Sequence, residues 1–190
     1  MRTFIAVDCN NKEKILNTQQ MIRNSLLHTN GNIKPTLPEN LHFTLFFFGD
    51  INDTSVERIK HKINEIRFEE FEISYKKIGA FPTYKQPKVI WIGLDDKSTK
   101  KLNSLFELVK SKMEQIGFKP DKQFKPHLTL FRVKKPIGNI EEYLSKHRDL
   151  IGSSELIDKI HLKKSDLYLS GPVYSNISTV FATNNIENEK

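Results

Sequence analysis

His42-Phe43-Thr44-Leu45-Phe46 returns 85 residues later as His127-Leu128-Thr129-Leu130-Phe131. With six His in the chain and Thr at roughly one position in 17 of average composition, a single His-x-Thr arises by luck about a third of the time. Two that both continue Leu-Phe mark an internal repeat. The flanks repeat as well. Thr3 to Val7 (TFIAV) and Val89 to Leu94 (VIWIGL) are β-favouring runs, each followed by Asp and each 36 to 38 residues ahead of its motif, counted from Phe4 or Trp91. A helix is expected between strand and motif in both halves. In the second half, Leu102, Leu105, Phe106, Val109, Met113 and Ile116 follow helical spacing, with Ser98 and Gly117 as caps. In the first, Ile15, Ile22 and Leu26 form a sparser stripe within 11–27.

The pattern continues after each motif. Thr54 with Glu57 reads as a capping box opening a helix with the stripe Val56, Ile59, Ile63 and Ile66. A strand follows from Phe71 to Ile78. The second half predicts a helix over 140–150, a strand over 157–169, Gly171-Pro172, and a last strand over 173–182. This order predicts an α+β fold: two similar lobes, each an antiparallel sheet with helices on one side, related by a pseudo-two-fold axis around a groove. Residues 1–183 form one bilobal domain, with repeats of about 1–80 and 88–183. The boundary GAFPTYKQPK (79–88) collects two Pro and one Gly, and 184–190 is a polar tail. Strand exchange between the lobes stays open.

Composition narrows the class. At 190 residues with 37% hydrophobic and 28% charged side chains, and only 16 Gly plus Pro, the chain is neither collagen-like nor disordered. No apolar run approaches the roughly 18 residues of a membrane span. The opening Met1-Arg2-Thr3-Phe4-Ile5-Ala6-Val7-Asp8 is too short in apolar residues for a signal peptide. With a single cysteine, Cys9, this points to the cytoplasm. A net charge of +7 and a pI near 9.3 favour a polyanionic partner.

On a strand, side chains two apart share a face, so each motif offers an imidazole beside a hydroxyl. Two lobes facing each other bring two imidazoles and two hydroxyls around one point. A neutral imidazole takes a proton from a nucleophile while a charged one gives a proton to a leaving oxygen, and an ordinary pKa near ~6.5 makes both forms accessible. Thr hydroxyls donate to phosphate oxygens that gain charge in the transition state, and no metal is needed. A lone His on an apolar strand is more often a satisfied core residue than a catalyst, and Thr suits strands in any case. The repeat shifts that balance, since two imidazoles at matched positions in a duplicated unit need a reason.

The other histidines lack such context. His28, His61, His147 and His161 read as surface residues. A two-His zinc site lacks the three or four ligands zinc takes, with no carboxylate or Cys beside either motif. Charge is uneven: Lys119, Lys122, Lys125, Arg132, Lys134 and Lys135 flank the second motif against Asp121 alone, while 34–50 holds one base and two acids. Arg132 offers a planar fork for phosphate, but in a regular strand it faces away from His127, so that role needs a bend or bulge. Phe46, Phe48 and Phe131 share the motif faces, with core packing favoured over stacking on a base.

MRTFIAVD, Glu39-Asn40-Leu41-His42-Phe43-Thr44-Leu45 with Phe48-Gly49, Phe124-Lys125-Pro126-His127-Leu128-Thr129-Leu130-Phe131-Arg132-Val133 and IDKIHLKKSDLYLSGPVY together resemble the two-histidine phosphoesterases. The match is to the LigT-like RNA 2',3'-cyclic phosphodiesterases, also called 2'-5' RNA ligase-like proteins. The resemblance implies a bilobal α+β fold and hydrolysis of a 2',3'-cyclic phosphate at an RNA 3' end to a 2'-phosphate. It implies His42 as proton donor, His127 as proton acceptor, Thr44 and Thr129 on the phosphate, and Arg132 as a further phosphate contact. It implies no cofactor or metal, and a monomer acting on RNA ends, tRNA halves among them. Phe46-Phe47-Phe48 departs from relatives that carry a basic residue after the first motif. Alternative readings are small 2',3'-cyclic nucleotides or 2'-5' linkages as substrates, 2'-5' ligation, or binding of RNA ends without catalysis.

Overall fold

The computed structural model describes residues 1–29, 33–146, 152–169 and 171–183. His147, the side chain of His28, the end of the expected helix 140–150 and the tail 184–190 lie outside the described residues. The elements run β1 (Arg2–Asp8), α1 (Lys12–Ser25), β2 (Ile33–Pro35), β3 (His42–Asp50), α2 (Asp53–Ile63), β4 (Phe71–Phe81), β5 (Val89–Leu94), α3 (Asp96–Glu114), β6 (Leu128–Val133), α4 (Glu141–Ser145), β7 (Ser153–Ile157), β8 (Lys159–Tyr168) and β9 (Gly171–Phe181). The α+β expectation holds: the described strands form two antiparallel sheets, ordered β3-β1-β8-β9 and β2-β6-β5-β4-β7.

The two sheets do not follow the two sequence halves. β8 and β9, from the second half, complete the sheet that carries β1 and β3, and β2 and β4, from the first half, lie in the sheet of β5 and β6. Of the expected boundary 79–88, residues 79–81 end β4 and 82–88 form the turn of a hairpin, with β4 pairing back on β5 through Phe81↔Val89. The open question of strand exchange is thereby answered: the strands are exchanged, and one continuous apolar core joins both sheets and the helices.

The expected stripes are buried, including Ile15, Ile22 and Leu26 of the first helix and Val56, Ile59 and Ile63 of the second, with Ile66 just beyond it. Gly117, at φ +87°, closes α3 as expected, its amide donating to the Glu114 carbonyl at 3.0 Å, but the N-terminal caps sit elsewhere than expected. Asn52 accepts from the Ser55 amide at 2.9 Å, and Asp95 accepts from the Ser98 amide at 2.7 Å, so the first residue able to cap each helix does so before Thr54 and Ser98 are reached. Ser98 instead binds the neighbouring strand, its hydroxyl accepting from the Ser74 amide at 2.8 Å. The expected strand 157–169 is broken at Asp158 into β7 and β8, which lie in different sheets.

One glycine position bears on the site. A Cβ at Gly79 would stand 2.2 Å from the Trp91 ring, so only glycine lets that ring lie flat across β4. Trp91 then stacks on Phe81 (centroids 5.0 Å apart, 30° between planes), and both rings back onto His127.

Candidate active site

His42 opens β3, and His127 immediately precedes β6. Both imidazoles are held in the same way. Nδ1 of His42 lies 2.8 Å from the Asn40 carbonyl, and Nδ1 of His127 lies 2.7 Å from the Lys125 carbonyl. A carbonyl only accepts, so each Nδ1 donates its proton to the carbonyl two residues upstream. The neutral ring therefore keeps its lone pair on Nε2. In the first half, Nε2 of His42 lies 3.1 Å from the Thr44 hydroxyl, which donates to it. Asn40 is itself pinned, its buried amide donating to the Pro172 carbonyl at 2.9 Å and tying this strand entry to β9. Neither Asn40 nor Lys125 was singled out from sequence, although their equal offset from the two His was the available signal.

Both strands also bulge at the same place. On β3, Thr44 pairs with Ala6 and Phe46 with Ile5, leaving Leu45 as the extra residue. On β6, Thr129 pairs with Trp91 and Phe131 with Ile90, leaving Leu130 extra. A bulge shifts the side-chain alternation by one. Hence Phe46 and Phe131 turn into the core, 2% and 0% exposed, and the next residues, Phe47 and Arg132, turn outward to the groove. The assumption that Phe46, Phe48 and Phe131 share the face of the histidines is corrected by these bulges. Phe46 and Phe131 are core, and Phe48 is half-buried against Phe46 and Phe118. The bulge that Arg132 requires is present.

His42, Thr44, His127, Thr129 and Arg132 all line one pocket of about 350 Å³ between the sheets. Lys34, Lys134, Tyr168 and Tyr174 share it. Lys34 comes from the first half but reaches the pocket because β2 pairs with β6, where Lys34 and Arg132 are cross-strand partners. Like charges set opposite each other favour an anion between them. Sequence placed the positive field mainly in the second half; strand exchange brings Lys34 of the first half to it.

The imidazole environments differ. His42 packs between the rings of Phe4 (5.1 Å) and Tyr174 (5.2 Å, edge-on). This burial holds its pKa down at about 4, against the Asn40 hydrogen bond and the Asp8 carboxylate, which pull it up. His127 has Phe81 edge-on at 5.0 Å and Trp91 at 6.4 Å, and burial pushes its pKa below the ordinary value, aided by Arg132 and opposed by the Lys125 carbonyl.

His161, read as a surface residue, is 5% exposed. Its Nδ1 lies 2.9 Å from the Thr179 hydroxyl, and Lys163, equally buried, binds Asp8 through both carboxylate oxygens at 2.6 and 2.8 Å. β8 is an interior strand, paired on one side by β1 and on the other by β9, which is why its polar residues are covered. His61 is exposed on α2, as expected. Among the described residues, no three His, Cys, Asp or Glu side chains converge as a metal ion requires, and no helix is long and apolar enough to cross a membrane.

Two sheets that each present an imidazole and a hydroxyl, with a guanidinium from one of them, to a shared pocket have the composition that a phosphoesterase centre requires. The comparisons agree. The model of the LigT-like phosphoesterase family matches the chain twice, over residues 6–91 and 92–174, so the chain belongs to that family. It is 36% identical over 182 residues to the RNA 2',3'-cyclic phosphodiesterase of Archaeoglobus fulgidus, covering 93% of this chain and 98% of that one. The protein of the same name from Methanothermobacter thermautotrophicus is 31% identical, covering 93% and 96%. Among solved structures, TT0787 of Thermus thermophilus superposes with a TM-score of 0.74 at 24% identity, covering 95% and 97%. Escherichia coli LigT complexed with 3'-AMP superposes with a TM-score of 0.74 at 20% identity, covering 96% and 98%. These two establish likeness of fold.

Proposed function

We propose that this chain is an RNA 2',3'-cyclic phosphodiesterase. It hydrolyses the cyclic phosphate at an RNA 3' end to a 2'-phosphomonoester without a metal ion, acting as a monomer in the cytoplasm. The observation that carries the reading is the matched pair of imidazoles, each fixed by a backbone carbonyl with Nε2 left for proton transfer, at one cationic pocket. The names of the relatives point the same way.

In this reading, water attacks the phosphorus as His127 Nε2 takes its proton. The bond from phosphorus to O3' breaks, and His42 gives O3' its proton from Nε2, leaving the phosphate on O2'. Thr44 and Thr129 donate hydrogen bonds to the non-bridging oxygens, and Arg132 clamps one of them. The roles of the two His come from the family resemblance, and burial acts against the donor, holding His42 at about 4 in the free protein. An anionic phosphate beside His42 raises its pKa, so the substrate supplies the charge that arms the donor.

The test is an RNA oligonucleotide ending in a 2',3'-cyclic phosphate, incubated with purified protein in EDTA, with the product end identified by mass and by phosphatase and alkali sensitivity. Conversion to a 2'-phosphate is expected. Turnover only with added metal, a 3'-phosphate product, or no turnover overturns the reading.

A further inference from the structure

A second hollow opens from the far side of His127, with a volume of about 820 Å³, and Thr44 and His127 form the wall it shares with the phosphate pocket. The reaction scheme leaves it without a task. Its lining is of two kinds. Phe47, Phe81 and Phe124 present aromatic surface that is only partly covered or exposed. Lys88, Lys122 and Lys125 stand around the rim, against a single acid, Asp121, which Lys122 already faces at 3.8 Å. Lys125 Nζ hangs 5.9 Å above the Phe81 ring, so cation and ring lie next to each other.

This volume is within the range of a drug-sized or nucleotide-sized ligand site. Rings interleaved with lysines are the surface that single-stranded nucleic acid uses, with bases on the rings and backbone phosphates at the cations. A purely apolar partner would leave the lysine rim unanswered. A free mononucleotide held at the phosphate pocket has no second phosphate to bring to that rim. An RNA chain does, because its cyclic phosphate is followed on the 5' side by ordinary diester phosphates at every residue.

Resting on the proposed function, we infer that this hollow is the seat of the RNA chain on the 5' side of the terminal nucleotide, and that it makes the enzyme select oligonucleotide ends over 2',3'-cyclic mononucleotides. The phosphate pocket performs the chemistry on either, while the aromatic-lysine hollow holds the preceding nucleotide or two and adds affinity only when they exist. The preference is then electrostatic in part, weakening as salt rises.

The experiment measures kcat/KM for a length series, from a 2',3'-cyclic mononucleotide through di-, tri- and tetranucleotides with the same cyclic end, at low and moderate salt. It uses the full-length protein and the variant Lys88→Gln/Lys122→Gln, whose positions are exposed. For the wild type, kcat/KM is expected to rise at least about tenfold from one to three nucleotides, carried in KM, with the rise shrinking in salt. The double variant is expected to lose most of that rise while its turnover of the mononucleotide stays within about twofold, because solvent-exposed charges at the rim act on the terminal phosphate only through screened attraction. Equal kcat/KM across the series, or a length effect that survives in the double variant, overturns the inference while leaving the phosphodiesterase reading intact. Absence of turnover on every member overturns both. Phe124→Leu supplies an independent readout, lowering the length effect without altering its salt dependence.

Discussion

The two motif strands are copies in what they do to the imidazole and differ in what they offer the substrate. Both hold Nδ1 by the carbonyl two residues upstream, at 2.8 and 2.7 Å, and both bulge at the leucine three residues downstream. At the fifth residue they part: Arg132 on β6 faces the groove where β3 presents Phe47, with the Arg2 guanidinium 5.3 Å over its ring. Proton transfer tolerates no change in tautomer, so the clamp and the bulge are duplicated faithfully. Recognition has no such symmetry requirement, because a cyclic phosphate has an anion on one side and a nucleoside on the other. On the proposed reading, one copy therefore carries the fork for the anion, and the other carries a ring.

The comparison breaks most visibly at the histidines. His42→Ala and His127→Ala are each expected to lower kcat/KM on the cyclic-phosphate RNA by about 10²–10⁴-fold, the usual worth of a positioned acid or base. A p-nitrophenyl phosphodiester, whose leaving group departs without a proton, separates the roles. With this substrate His42→Ala recovers most of its loss and His127→Ala does not. Recovery by His127→Ala instead exchanges donor and acceptor.

The fifth residues come next. Arg132→Lys keeps the charge and removes the planar fork, and a lost hydrogen bond to a charged group amounts to roughly ten- to hundredfold in kcat/KM. Phe47→Leu, at the equivalent place, is expected to change it less. Equal losses in steady-state assays would mean that the two positions are not specialised.

The pH dependence sharpens the same contrast. Both imidazoles titrate below their ordinary value in the free protein, His42 at about 4, and the reaction needs one proton on the pair. As pH rises, the free protein loses that proton below the ordinary histidine range. The complex, with the phosphate raising both pKa values, loses it later. The basic limb of kcat/KM should thus lie at lower pH than the basic limb of kcat. Coincident limbs, or a profile flat from pH 5 to 9, would falsify the two-imidazole scheme.

The smallest effect on chemistry is expected beneath β3. Asp8 is the cross-strand partner of His42, and its side chain is 27% exposed while that of Lys163 is 5% exposed. Lys163→Met leaves Asp8 with only His161 Nε2, 3.7 Å away, and lowers unfolding stability by roughly 2 kcal/mol, less than the ~3–5 of a wholly buried pair because Asp8 keeps contact with water. Urea denaturation measures it, and kcat should change within about threefold, since a screened charge behind the strand acts only through His42.

Much of the site was readable because it is written twice. His42, Thr44, His127 and Thr129 stood out through repetition, and apolar spacing marked the stripes of α2 and α3. What stayed hidden depends on partners rather than on local pattern. Strand exchange turns on which edges meet, and β2 and β4 carry no residue that names their sheet. The bulges at Leu45 and Leu130 leave no trace in composition, yet they decide that Arg132 faces the pocket and Phe46 does not. Lys163 and His161 lie on a strand whose burial becomes evident only once β9 covers one edge and β1 the other.

The exchanged sheets also govern when this protein can begin to work. β1 is made well before its partner β8, and Thr3 meets Lys164 from the other half of the sequence. A nascent chain that has emerged only as far as the first histidine has neither its neighbouring strand β8 nor the carbonyl of Pro172 that anchors Asn40. Domains commonly fold from the N-terminus as they leave the ribosome. Here the first half has no complete sheet of its own to fold into, so the catalytic groove closes as a single late event. A chain cut short before β8 and β9 is then expected to lack the closed groove altogether.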